Sequence, residues 1–144
     1  METKPFSSLQ AWEKELITAA QQATNTSYAP YSHFQVGAAV LLSDGNIIKG
    51  SNQENRAYGS CICAERVALL YATANHANTP PIAIAIAATH QGDFTKQPVT
   101  PCGECRQVFI EMQERFNTPL QVLMYGVDTC YIVRDATQLL PLAF

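Results

Sequence analysis

Two short segments of the chain carry cysteines at a spacing that suits a metal site. The first reads CICAERVALL over residues 61–70, and the second reads PCGECRQVF over residues 101–109. Cys102 and Cys105 have the C-x-x-C spacing that lets two sulfurs bind one tetrahedral ion. Cys63 lies in the first segment, and a crossover in the chain would bring it beside them. The two segments therefore predict a zinc site with the ligands Cys63, Cys102 and Cys105.

Three protein ligands leave a choice between a structural and a catalytic zinc. A catalytic zinc keeps three protein ligands and one exchangeable position. A redox C-x-x-C is a further interpretation, but it leaves Cys63 and its charged neighbours unexplained. A structural site needs a fourth ligand, and the candidates are Cys61, Cys130, His33, His76 and His90. The spacing favours the catalytic interpretation.

Charged residues beside the ligands strengthen this interpretation. Glu65 stands two residues after Cys63, where its carboxylate can lie over the metal and move a proton without binding the ion. A glutamate in the first turn of a helix is also an ordinary surface residue, but we prefer the acid–base role. Arg66 and, less strongly, Arg106 are candidates to donate hydrogen bonds to the sulfurs and offset their negative charge.

Hydrophobic periodicity predicts three helices. An amphipathic first helix follows from apolar residues at steps of three and four, namely Leu9, Trp12, Leu16, Ile17 and Ala20. Two more helices are predicted from CAERVALLYATANH and CGECRQVFIEMQERF. Each of these begins at a cysteine, where the helix dipole and free N–H groups favour a thiolate over a thiol.

Five apolar segments predict strands: FQVGAAVLL, NIIKGSN, PIAIAIAATH, PLQVLMYG and TCYIVRDA. Asp44 and Gly45 join the first two in a hairpin, so these two strands should pair antiparallel. Helices interleave with the later strands, which makes parallel pairing available. The predicted fold class is therefore α/β, with three layers: a mixed sheet of about five strands flanked by helices. We expect a single domain over residues 1–144.

Composition excludes several classes of protein. The 144 residues are 47% hydrophobic and 15% charged, which is typical of a globular chain and not of a disordered one. The net charge of −3 gives no general basic field for nucleic acid. A charged N-terminal segment and the absence of a long apolar run predict a cytoplasmic protein with no membrane partner. Five cysteines rule out complete disulfide pairing.

Five motifs, in order along the chain, carry a resemblance to a known family. They read YAPYSHFQVGAAVL, GSNQEN, CAERVAL, PCGECRQV and LLPLAF. Together they resemble the small zinc-dependent cytidine deaminases that act on free nucleosides, from about Ser27 to the last residue. The resemblance implies the cytidine-deaminase-like fold, one Zn²⁺ per chain and a role in pyrimidine salvage. It implies that cytidine and 2′-deoxycytidine are hydrolysed to uridine and 2′-deoxyuridine plus ammonia, by attack of zinc-bound hydroxide at C4 with Glu65 as proton shuttle.

The resemblance also implies which residues bind the nucleoside. The backbone N–H of Ala64 would hold the base at O2, and the carbonyl of Thr100 would accept from the amino group. Asn52 and Glu54 match residues that hydrogen-bond the ribose hydroxyl. Phe34 matches an aromatic residue that packs against the base.

Two aromatic residues fall at positions that complete the site of a neighbouring subunit. These residues are Tyr58 and Phe144, and the resemblance therefore implies a homotetramer with shared active sites. The chain departs from the family at Arg56, where a small residue is usual. Arg56 is expected to change the rim near the 5′ end of the nucleoside or to pair across a subunit contact. Glu104, inside the C-x-x-C, adds negative charge near the zinc.

Other functions remain as alternatives at this stage. Arg56 and the loop near Gly59 leave room for the same zinc chemistry on a modified or C4-substituted cytidine or on another amino-heterocycle. A non-catalytic zinc-binding relative is a further alternative, although the three cysteines and Glu65 are intact. The acidic balance disfavours an enzyme that edits RNA or DNA, so we expect a small-molecule partner and no nucleic acid.

Overall fold

Three α-helices and seven β-strands form the regular structure of the computed structural model, which describes residues 1–144. The helices are α1 (Ala11–Ala23), α2 (Ala64–Asn75) and α3 (Gly103–Phe116). The strands are β1 (Glu2–Lys4), β2 (Phe34–Leu42), β3 (Ile47–Ser51), β4 (Pro81–His90), β5 (Asp93–Phe94), β6 (Gln121–Tyr125) and β7 (Cys130–Val133). No helix combines the length and the apolar character that a membrane crossing requires.

All seven strands belong to one mixed sheet. Its order is β1-β7-β6-β4-β2-β3, and β5 pairs with β4 at one end. β4 and β6 are parallel, and the other pairs are antiparallel, including the predicted β2–β3 hairpin. The five predicted strands are all present. β1 and β5 are present in addition to them. These two strands were not predicted, because segments of three and two residues are too short to show a periodic pattern.

Helices cover both faces of the sheet, which confirms the predicted α/β class with three layers. Successive residues of β2 point to opposite faces. Ala38 and Val40 pack in a core with Ala68 of α2 and Phe109 of α3. Ala39 packs on the other face in the core that includes Leu16, Ile17 and Ala20 of α1.

A glycine in β3 lets α2 lie directly on the sheet. A Cβ atom built on Gly50 would lie 2.8 Å from the carbonyl oxygen of Ala64. That distance is shorter than any ordinary carbon–oxygen contact, so this position has no room for a side chain. Because Ala64 is the first residue of α2, the glycine fixes the height at which this helix begins above the sheet.

The N-terminal strand is held in place by an arginine of the segment that follows β7. Arg134 Nε donates to Glu2 Oε1 at 2.8 Å. Its Nη1 donates to Glu13 Oε1 and to Gln121 Oε1, each at 2.8 Å. Glu13 is buried and also accepts from the backbone N–H of Gln10, which caps the start of α1. Arg134 thus links β1, α1 and β6.

Candidate metal and substrate site

The three cysteines predicted as ligands meet where α2 and α3 begin. Cys63 immediately precedes α2, Cys102 immediately precedes α3, and Cys105 lies in the first turn of α3. Their Sγ atoms all lie within 4.8 Å of one another. Each of these helices precedes one strand of the parallel pair β4 and β6. Both helices therefore start at the same end of these two strands. The topology therefore brings together sulfurs that are far apart in the sequence.

The geometry of the sulfurs fits a zinc ion. At a Zn–S distance of about 2.3 Å, two ligands of a tetrahedral ion lie about 3.8 Å apart. The Sγ atoms of Cys63 and Cys102 are 3.7 Å apart. No histidine joins the group, and neither do Cys61 and Cys130. The donor set is therefore three sulfurs, which is the number of protein ligands typical of a catalytic zinc and not of a structural one.

Hydrogen bonds favour an anionic sulfur at the centre of the cluster. The hydrogen bonds from Cys105 and then Cys102, and after them the nearby guanidinium of Arg66, lower the pKa of the Cys63 thiol. Cys105 donates to Cys63, and this hydrogen bond raises the pKa of the Cys105 thiol. Cys102 Sγ accepts from the backbone N–H of Cys105 at 3.5 Å. The starts of both helices thus provide the positive surroundings that a thiolate ligand needs.

Glu65 is a buried carboxyl group beside the sulfurs. It lies in the first turn of α2 and is only 5% exposed. Burial, together with the nearby charge of Cys63, raises the pKa of Glu65 to about 7. A carboxyl group with a pKa near neutrality can both accept and return a proton, which is the property of a general acid–base group.

The two arginines near the cysteines have different partners. Arg66 lies beside Cys63 and pairs with Glu104, with its Nη2 3.0 Å from Glu104 Oε2. Arg106 points away from the sulfurs. Its Nε donates to the carbonyl of Pro101 at 2.9 Å, and its Nη1 donates to that of Leu139 at 3.3 Å. Of the two arginines, only Arg66 is placed to interact with the metal ligands.

A cavity of about 430 Å³ opens beside the sulfurs. This volume lies in the range of small-molecule sites. Fifteen residues line the cavity, among them Cys63, Glu65 and Cys102. Five of the residues that the resemblance places at the nucleoside also line this cavity: Asn52, Glu54, Tyr58, Ala64 and Thr100.

The side-chain amide of Asn52 is fixed by three hydrogen bonds. Its Oδ1 accepts from the backbone N–H of Val36 at 2.8 Å and from Ser27 Oγ at 2.5 Å. Its Nδ2 donates to the carbonyl of Phe34 at 3.0 Å. One N–H of the amide therefore remains for a molecule in the cavity.

Glu54 is held by the loop that precedes β2, which was not predicted to contribute to the site. The carboxylate accepts from the backbone N–H groups of Tyr31 and Ser32 at 2.9 and 3.3 Å, and also from the Ser32 hydroxyl. The Ser32 hydroxyl, followed by the Tyr31 N–H, lowers the pKa of Glu54. Ser32 belongs to the quoted motif YAPYSHFQVGAAVL, so a hydroxyl in that motif was the available signal.

Three residues predicted at the site do not line the cavity of their own chain. Phe34 is partly buried at the start of β2, with its ring centroid 6.0 Å from that of His90. Arg56 is exposed and makes no hydrogen bond or ion pair through its side chain. Phe144 is fully exposed, and its carbonyl accepts from Gln107 Nε2 at 3.0 Å.

The two remaining cysteines lie apart from the metal ligands. Cys61 lines the cavity wall, and its Sγ accepts from the backbone N–H of Asn55 at 3.2 Å. Cys130 is buried in β7. All five cysteines are free.

Comparison with known proteins identifies a family over most of the chain. Residues 10–117 match the family described as the cytidine and deoxycytidylate deaminase zinc-binding region. A cytidine deaminase from Halalkalibacterium halodurans is 50% identical over 97 residues, which cover 67% of this chain and 69% of that protein.

Solved structures show the same similarity in three dimensions. A cytidine deaminase from Burkholderia pseudomallei is 40% identical, with a TM-score of 0.77 over 94% of this chain and 100% of that one. A cytidine deaminase from Mycobacterium tuberculosis is 34% identical, with a TM-score of 0.71 over 94% of this chain and 98% of that one.

Proposed function

Because the chain belongs to the cytidine and deoxycytidylate deaminase zinc-binding family, we propose that it is a zinc-dependent cytidine deaminase. The reaction is the hydrolysis of cytidine and 2′-deoxycytidine to uridine and 2′-deoxyuridine, with release of ammonia. The convergence of three sulfurs and the buried Glu65 beside one cavity is the observation that carries this conclusion. When bound, zinc supplies a Lewis acid that lowers the pKa of a water molecule.

Glu65 is the proposed proton carrier. It takes a proton from the attacking water and delivers it to N3 of the base as the bond to C4 forms. It then takes the proton of the new C4 hydroxyl and delivers it to the departing amine. The C4–N bond breaks, the C4 carbonyl forms, and Glu65 returns to its starting state. Its burial supports this role, because a carboxyl group with a pKa near 7 exchanges protons in both directions.

Backbone groups are proposed to orient the base. Ala64 is the first residue of α2, and its N–H belongs to the helix turn whose N–H groups have no acceptor within the helix. This N–H is proposed to donate to O2 of the base, and the Thr100 carbonyl to accept from the amino group. A base lacking either partner would leave a buried polar group unpaired, which is the strongest basis for rejecting it.

The sugar is proposed to bind at the other end of the cavity. Asn52 presents its free N–H there, and Glu54 presents a carboxylate already oriented by Tyr31 and Ser32. Both groups suit a ribose hydroxyl, which donates one hydrogen bond and accepts others. Phe34 is proposed to pack against the base once the nucleoside is bound.

The assembly is proposed to be a homotetramer in which neighbouring chains complete each site. Tyr58 is 85% exposed and Phe144 is fully exposed, as expected for aromatic residues that another subunit would cover.

The proposed domain spans residues 1–144, since β1 and β7 share one sheet. The cytoplasm is the proposed compartment, because clustered cysteines in odd number suit metal binding in a reducing environment better than a complete set of disulfides.

Arg56 supports a second candidate for substrate specificity. Its side chain is exposed without a charged partner, in the loop between Glu54 and Tyr58. The proposed role is to accept a negatively charged group near the 5′ end of the nucleoside. The test compares kcat/KM for cytidine and cytidine 5′-monophosphate in the wild type, Arg56→Ala and the control Lys49→Ala. An unchanged ratio in Arg56→Ala would exclude the role.

The main test follows the loss of ultraviolet absorbance when the purified protein meets cytidine. Glu65→Gln is expected to keep its zinc and lose activity by a factor of about 10² to 10⁴. Glu111→Gln, which removes an exposed carboxylate from α3, is expected to behave as the wild type. Wild type loaded with zinc that leaves cytidine unchanged would overturn the proposed substrate. Full activity in Glu65→Gln would overturn the proposed proton carrier.

A further inference from the structure

An ion pair connects the two helices that carry the metal ligands. Arg66 is the third residue of α2, and Glu104 is the second residue of α3. The distance from Arg66 Nη2 to Glu104 Oε2 is 3.0 Å. Glu104 stands between Cys102 and Cys105, so the ion pair lies at the edge of the sulfur cluster.

The guanidinium of Arg66 and this carboxylate stand at the wall of the cavity that Cys63 and Cys102 also line. Its side chain is 23% exposed, and its buried Nε has no hydrogen-bond partner. Its Nη2 lies 3.5 Å from the carbonyl oxygen of Cys61, at the limit of a hydrogen bond. Arg66 stands three residues after Cys63, where α2 begins, a spacing that places two residues on the same side of a helix. Arg66 therefore retains donor capacity toward the sulfurs while Glu104 holds its other side.

Glu104 has no polar partner other than Arg66. Its side chain is 73% exposed and contributes to no other hydrogen bond or ion pair. Arg66 is a long side chain whose rotamer freedom opposes any fixed contact. An anchoring carboxylate reduces that freedom and makes a contact between the guanidinium and a sulfur less costly in entropy.

We propose that Glu104 is a positioning residue that holds Arg66 against the metal ligands, so that the two residues act together in retaining the zinc. The inference rests on the zinc site described above. It assigns Glu104, the acidic residue inside the C-x-x-C, a function through Arg66. Because the pair is largely exposed on the Glu104 side, the effect is modest and weakens with salt.

The test measures the rate of zinc release to a coloured chelator from protein loaded with zinc. Glu104→Gln is expected to release zinc about two to five times faster than the wild type. Arg66→Gln is expected to release it about ten times faster or more, because it removes the group that faces the sulfurs. In the double variant, Glu104→Gln should add nothing to the effect of Arg66→Gln. Glu111→Gln serves as the matched control for loss of one carboxylate from the same helix.

Cobalt substitution gives a second readout that a general loss of stability would not reproduce. Fewer hydrogen bonds to the sulfurs should move the sulfur-to-cobalt charge-transfer band to longer wavelength. The shift is expected in both single variants, with no further shift when Glu104→Gln is added to Arg66→Gln.

Three outcomes separate the inference from the zinc site on which it rests. Equal acceleration of zinc release by Glu104→Gln with and without Arg66 would overturn the inference, since the carboxylate would then act by its own charge. Unchanged zinc release and an unchanged cobalt spectrum in Glu104→Gln would also overturn it. Failure of the wild type to retain zinc would overturn the metal site itself, and the inference with it.

Discussion

Gly50 of β3 and Ala68 of α2 lie in direct backbone contact. A Cβ atom on Gly50 would come within 2.5 Å of the Ala68 amide nitrogen. α2 begins immediately after Cys63 and holds Glu65 in its first turn. The position of this helix therefore depends on the absence of a side chain at Gly50 of β3. Packing at one point of the sheet in this way determines the position of Cys63 and Glu65, about one helical turn away.

Gly50→Ala is expected to lower the free energy of unfolding by about 1–3 kcal/mol, because the added methyl group must displace the backbone of α2. The same displacement should reduce zinc content at a fixed zinc concentration. Urea denaturation and metal analysis measure the two effects. Gly59→Ala is the control, since a Cβ there meets nothing within 4 Å. Equal stability of the two variants would contradict the packing argument.

Removal of zinc is expected to lower the melting temperature by about 5 °C or more, because the ion binds the folded state and links α2 to α3. The measurement is a thermal melt with and without a chelator. Cys61→Ser should keep the response to the chelator, since Cys61 is outside the sulfur group. Cys102→Ser should lose it. A chelator response that survives in Cys102→Ser would remove that residue from the ligand set.

Ser32→Ala is expected to lower kcat/KM for cytidine about fivefold, the equivalent of one hydrogen bond. The hydroxyl donates to Glu54, and without it the carboxylate is less well oriented toward the proposed sugar site. Ser43→Ala in the β2–β3 turn provides a matched control. The effect should largely disappear in a Glu54→Ala background, and an undiminished effect there would show that Ser32 acts by another route.

Stability in acid should depend on Glu2. Hydrogen bonds from Arg134, and then from Lys4, lower the pKa of Glu2 from 4.5 to about 2. The unfolded chain therefore binds the proton more readily, so this contribution is complete above about pH 4.5 and is lost as the pH falls toward 2. Melting temperatures measured across this range should show wild type above Glu2→Gln near pH 6, with the gap closing in acid. Glu15→Gln is the control, and a gap that stays constant with pH would contradict the assignment.

The convergence of Cys63, Cys102 and Cys105 was predictable from the sequence, because the chemistry of a metal site depends on short spacings. C-x-x-C, Cys63 and Glu65 are local patterns, and helix starts at cysteines follow from the same segments. The two cysteine segments meet because the helices that follow them, α2 and α3, precede the parallel strands β4 and β6. The family is confirmed by the match over residues 10–117.

Contacts between distant side chains were not predictable in the same way. The pairing of Arg66 with Glu104 depends on the relative placement of two helices, and no spacing in the sequence encodes it. The hold of Ser32 on Glu54 is similar, since the residues are 22 positions apart. β1 was missed because its three residues pair only with β7, at the other end of the chain. The placement of Phe34, Arg56 and Phe144 relative to a nucleoside stays a prediction.

The pairing of β1 with β7 has a consequence for the order of folding. Glu2 lies opposite Ile132, so β1 has no partner in the sheet until a strand 130 positions further along the chain is in place. Such a long loop closes late, after the local hairpin of β2 and β3 and after the helices have formed. Substitutions in β1 should therefore speed unfolding and leave the rate of folding nearly unchanged. Until this pairing forms, the unpaired edge of the sheet lies at β7, and β1 then covers it.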